Sequence, residues 1–169
     1  MEHVDTQLLE IYLDDHWAGA GAGRALMKRI EQSNRKTQWS EKLSWLVAEI
    51  ESDIEELERL RSTLGFDGGM LKRQLALAAE RAGRFKLNGR VLTYSPLSRL
   101  VEIEAMMAAV MGKQRLWGSM RAVFDDDGEG LVGFDFRALE KRGEEQLGVL
   151  LSIHEDAAAA AFLPESRSV

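Results

Sequence analysis

Two histidines and two carboxylates pose the first chemical question in this chain: His16, Asp53, Glu104 and His154. Imidazole nitrogens with carboxylate oxygens form a donor set for zinc, iron or manganese, and they also hydrogen-bond one another inside helical cores. At 1.5 Å rise per residue, counting outward from the polar break SNRKTQ puts His16 opposite about residue 54, beside Asp53. The same count from DDDGEGLVG puts Glu104 opposite about His154. If the third helix begins where the second finishes, all four residues share one depth. If it runs parallel to the second, the two pairs are offset and act as separate His–carboxylate hydrogen bonds. The direction of the third helix stays open; two separate His–carboxylate hydrogen bonds are the expectation, with no cofactor bound and iron, manganese or zinc as the alternative. His3 lies in a terminus expected to fray and takes no role.

Directly after His16 stands the run Gly19-Ala20-Gly21-Ala22-Gly23. A dinucleotide fingerprint needs G-x-G-x-x-G after a strand, so that backbone N–H groups reach the pyrophosphate. Here the pattern is G-x-G-x-G, within a helical run, which argues against a nucleotide loop. Each helical glycine costs about 1 kcal/mol relative to alanine, so something has to come close. Gly19 and Gly23, four apart on one face, predict a close helix crossing or a slot for Trp17, Trp39, Trp45 or Trp117. The competing expectation is space for a small ligand beside His16. No serine stands in a G-x-S-x-G elbow, and none is an evident partner for a histidine, so serine nucleophile chemistry lacks support.

The elements that carry these residues are helices. Apolar residues recur at steps of three and four over residues 5–33, 39–64, 97–124 and 135–162, and a shorter pattern covers about 70–83. Gly65 reads as a C-cap, Ser95 as an N-cap and Pro96 as a first helical residue. The first stripe is Leu8, Leu9, Tyr12, His16, Gly19, Ala20, Gly23, Leu26, Met27 and Ile30. Only two prolines and few β-branched runs occur, and strand patterns are absent. With 169 residues and 30% charged side chains, the chain predicts one domain over 1–169. The architecture expected is all-α, an antiparallel four-helix bundle with a short extra helix in the central connection. The absence of cysteine removes disulfides and thiolate sites and agrees with the cytoplasm. No apolar run approaches 18 residues, so no membrane span is expected.

Charge is unevenly placed. The net charge is −6, yet residues 70–99 carry seven basic side chains against the single acid Glu80. Lys72, Arg73, Arg81, Arg84, Lys86 and Arg90 therefore form a candidate patch for an anionic partner, including a peripheral lipid surface. Pairing with the acidic run from Glu49 to Glu58 is the first expectation for them. Nucleic acid is not expected, since the overall pI is about 5.2 and no recognition motif accompanies the patch.

Two long helical hairpins joined by an extended connection, with EIYLDDHWAGAGAG, GRFKLNGRVLTYSPLS and GKQRLW, resemble the ferritin-like superfamily and an uncharacterised bacterial family of that shape. The resemblance implies a ferritin-like bundle. Di-iron members place Glu three residues before each metal-binding His. Here Leu13 precedes His16 and Leu151 precedes His154 at that spacing. The leading functional expectation is thus a non-catalytic bundle acting through protein–protein contact or self-assembly as a homo-oligomer. The alternatives are a ferritin-like metal-binding oxidoreductase or storage protein, and a carrier with a ligand in the slot at Gly19 and Gly23.

Overall fold

The computed structural model describes residues 4–66, 94–124 and 131–163. These residues form four helices and no strand: α1 (Thr6–Ser33), α2 (Ser40–Thr63), α3 (Pro96–Phe124) and α4 (Phe136–Phe162). The short helix expected at 70–83 and the basic residues from Lys72 to Arg90 lie outside the described residues.

Local chemistry fixes each helix end. The Asp5 carboxylate accepts from the backbone N–H of Gln7 and Leu8, both at 3.1 Å, and satisfies two orphan donors at the start of α1. Ser95 accepts from Ser98 N–H at 3.1 Å to start α3, with Pro96 as its first residue, and Asp135 accepts from Ala138 N–H at 2.9 Å to start α4. At the end of α2, Gly65 takes φ +76°. Phe66 N–H then reaches Arg61 C=O at 2.9 Å and Gly65 N–H reaches Ser62 C=O at 3.0 Å, the paired bonds of a Schellman closure. Between α1 and α2 the buried Asn34 side chain donates to Ile30 C=O at 2.8 Å and accepts from Arg99 Nε at 2.7 Å, tying this turn to α3.

Helix α1 packs on α2 and α3, and α4 packs on α3 and α2. Side-chain contacts fix the register. Between α1 and α2, Asp14 meets Arg61, Trp17 meets Glu58 at 3.3 Å, and Lys28 meets Glu51 at 2.6 Å. Between α1 and α3, Tyr12 donates to Ser119 Oγ at 3.3 Å and Arg29 pairs with Glu102. Between α3 and α4, Arg121 pairs with Glu140 at 2.6 Å and Gln114 donates to Glu144 at 3.3 Å. Between α2 and α4, Lys42 donates to Ser152 Oγ at 3.0 Å and Arg142 to Ser52 Oγ at 3.3 Å.

The apolar core divides into two clusters. One gathers Met27, Leu43, Leu46, Ile50, Ile103 and Leu150, among others, near the α1–α2 turn. The other gathers Leu13, Leu60, Leu116, Trp117, Phe136 and their neighbours at the opposite end. Leu13, which the first stripe omitted, is fully buried, whereas Leu8 is 64% exposed. Asp5 capping sets the start of α1, and the packed face then follows Leu9 and Leu13.

The close glycine crossing lies between α3 and α4. A Cβ on Gly143 would sit 3.2 Å from Gln114 Cβ, while a Cβ on Gly19 or Gly21 has no atom within 4 Å. Gly143→Val is expected to destabilise by about 1–3 kcal/mol through overpacking. Gly19→Ala is expected to stabilise by about 0.5–1 kcal/mol through helix propensity. Urea unfolding of both variants checks the opposite signs.

Candidate functional site

Between the two apolar clusters every helix contributes a polar residue or a glycine: His16 and Gly19 on α1, Asp53 on α2, Gly112 and Lys113 on α3, and Arg142, Gly143 and Gln146 on α4. Apolar packing is interrupted there, and a cavity of about 460 Å³ opens between α1, α2 and α3. That volume lies in the range of small-molecule sites. Its apolar wall includes Ala20, Ile50, Ile54, Leu57, Met106 and Val110, and Tyr12, His16, Asp53, Lys113 and Trp117 also line it. Asp15, Gly19 and Ala109 also line it and are exposed, so the mouth lies between α1 and α3.

The glycines therefore act differently from the close crossing expected of them. At Gly19 no atom stands within 4 Å of where a Cβ would be, and at Gly23 only Met106 Cε reaches 4.0 Å. No tryptophan fills the space. Trp117 forms part of the wall, Trp39 belongs to the cluster near the α1–α2 turn, and Trp45 is partly exposed. The absent side chains leave the cavity open.

One wall is a buried charge network. Lys113 Nζ pairs with Asp53 and donates to Gln146 Oε1, Gln146 Nε2 donates to Asp53 at 2.8 Å, and Arg142 Nη2 lies 2.6 Å from Asp53 Oδ1. The second acid near Arg142 is Glu49, at 4.0 Å. Burial lowers the Lys113 pKa below 10.5; Asp53 opposes the shift and Arg142 adds to it.

The four candidate ligands separate into two places. Asp53 is engaged by Lys113, Arg142 and Gln146, and it forms no bond with His16 among the described residues. His16 instead meets the Tyr12 ring edge-on at 4.7 Å. Glu104 and His154 bond each other at 3.2 Å on the α3–α4 surface. Among the described residues no three His, Asp or Glu side chains are grouped to hold a metal ion. The acidic run also finds partners elsewhere: Glu51 pairs with Arg24 and Lys28, Asp53 with Lys113 and Arg142, and Glu56 with Arg59. Lys113, Arg142 and Gln146 were not singled out from the sequence. Their one signal was a polar residue at an otherwise apolar helical step.

Burial lowers the His16 pKa below 6.5, and Asp15 partly opposes that shift. The unfolded chain then binds more protons at this site, so stability rises with pH. The contribution is full above 6.5 and is lost as pH falls toward the lower folded value. Between about pH 7.5 and pH 5.5, wild type is expected to lose more stability than His16→Gln, read by urea midpoints.

Among the described residues no helix is long and apolar enough to cross a membrane. The chain matches no family model, no curated protein and no solved structure.

Proposed function

We propose that this protein is a binding module that takes up a small, mostly apolar molecule in the cavity between α1, α2 and α3. The observation that carries the reading is the open space of about 460 Å³ at Gly19, in a helix where glycine is costly and nothing approaches it. An antiparallel bundle with ferritin-like connectivity is the frame of this reading. It is supported by the pairing order, since Asp14 meets Arg61 while Lys28 meets Glu51, and Tyr12 meets Ser119 while Arg29 meets Glu102. Such pairings run α2 and α3 the same way, and then the two His–carboxylate levels are offset.

The test is saturable uptake of the neutral fluorescent probe N-phenylnaphthylamine. Wild type and Gly21→Phe, whose residue is outside the cavity lining, are expected to bind it, and Gly19→Phe is expected not to, with helicity and thermal midpoint retained. Equal uptake by Gly19→Phe, or no uptake by folded wild type, would overturn the reading.

A second reading, self-association, rests on the α3–α4 surface. Val101, Met111 and Leu151 are each about half exposed there, around the Glu104–His154 pair. Light scattering is expected to show a dimer or larger species that Val101→Glu with Met111→Glu returns to monomer; monomeric wild type would refute it.

A further inference from the structure

We infer that His16 makes uptake by this cavity acid-sensitive: an apolar ligand is held while the imidazole is neutral and released when it is protonated. The inference rests on the binding reading above and adds its regulation. Its starting point is the setting of His16, which is half-buried and lines the cavity on α1, one turn before the open space at Gly19. Among the described residues its ring forms no hydrogen bond and no ion pair, and its ring contact is the edge-on packing against Tyr12. An imidazolium in that position needs a counter-charge or water.

The charged groups around it match a further cation poorly. Among the described residues α1 packs on α2 and α3 alone. On α1, Asp15 is exposed at the mouth, where water screens it, Asp14 is held by Arg61, and the Tyr12 hydroxyl donates to Ser119. On α2, Asp53 is taken by Lys113, Arg142 and Gln146, Glu58 accepts from Trp17, and Glu56 pairs with Arg59. On α3, Lys113 in the wall and the exposed Arg115 carry the same sign as an imidazolium and oppose it.

Water is then what stabilises the charged ring. It enters an open cavity through the mouth between α1 and α3, and a hydrocarbon ligand filling the same space displaces it. Occupancy therefore pushes the His16 pKa further down, in the direction in which burial by the protein alone already moves it from 6.5. At this site the free protein binds more protons than the complex, so binding releases protons and affinity falls as pH falls. Above 6.5 the ring is neutral in both states and affinity is level. Below the free protein's value a single titrating group weakens binding by at most about tenfold per pH unit.

Fluorescence titration with N-phenylnaphthylamine, which stays neutral over this range, tests the coupling at about pH 7.5 and about pH 5.0, with circular dichroism confirming folded protein at both. Wild type is expected to bind about fivefold more weakly at the lower pH, and His16→Gln about equally at both. Titration calorimetry of wild type near pH 6, in two buffers of different ionisation enthalpy, is expected to show proton release on binding and needs no variant. Equal affinity at both pH values without proton release overturns the assignment to His16, and so does a pH dependence in His16→Gln that matches wild type. In either case uptake of the probe leaves the cavity reading standing; no uptake by folded wild type at about pH 7.5 brings down both.

Discussion

Replacing Asp53 by Ala is expected to cost about 3–5 kcal/mol of stability, because it strips the shared counter-charge from two cations at once. The Asp53 side chain is 2% exposed, and Lys113 and Arg142 both rest on it. Without it, the Lys113 ammonium keeps only the Gln146 carbonyl as a partner on that side, in a site where burial already disfavours the charge. Arg142 retains Glu49 and Ser52 and remains 24% exposed, so the larger share of the penalty falls on Lys113. Asp53→Leu combined with Lys113→Met removes the pair instead of breaking it and is expected to be much milder than either replacement alone. Urea unfolding of the single and double variants decides this. A loss below about 1 kcal/mol in Asp53→Ala would mean that water reaches the network through the cavity.

Arg61→Ala is expected to be similarly severe, again about 3–5 kcal/mol, for a different structural reason. Asp14 and Arg61 are both almost fully buried, and Arg61 Nε donates to Asp14 Oδ1 at 3.1 Å. Its Nη2 also reaches Asp14, and donates to Phe66 C=O at 3.2 Å, closing the chain just after the Gly65 turn. The guanidinium lies 5.5 Å from the Trp17 ring. One side chain thus joins α1, the end of α2 and the segment after it. Arg61→Lys is expected to recover only part of the loss, because a single ammonium lacks the planar fork that serves carboxylate and carbonyl together. Thermal unfolding with Asp14→Ala, Arg61→Ala and their double variant gives the coupling energy; additive losses would show that the pair contributes little.

The contrast between these networks and the helices around them shows what was readable in advance. Ser95 and Gly65 have local roles: a side-chain oxygen three residues before a free N–H, and a residue that accepts positive φ. Chemistry within a few residues is visible in a linear string. The apolar step of three and four likewise marked Leu43, Leu46, Ile50, Leu57 and Leu60, all buried on α2. It failed at Asp14, Arg61, Lys113 and Gln146, where polarity reads as a solvated face although the side chain is inside. Their burial depends on partners 33 to 93 residues away along the chain, between Gln146 and Lys113 and between Gln146 and Asp53.

By itself, then, the sequence determined the all-helical class and the helix ends, since periodicity and caps are properties of neighbouring residues. It also marked Gly19 and Gly23 as costly enough to need a reason. Only the tertiary structure showed that nothing stands against Gly19 and that a close approach falls at Gly143, because the gap between helices is set by side chains on both partners. The same holds for the charges: His16 and Asp53 share a wall without sharing a bond, since Lys113 and Arg142 arrive from α3 and α4 to take the carboxylate.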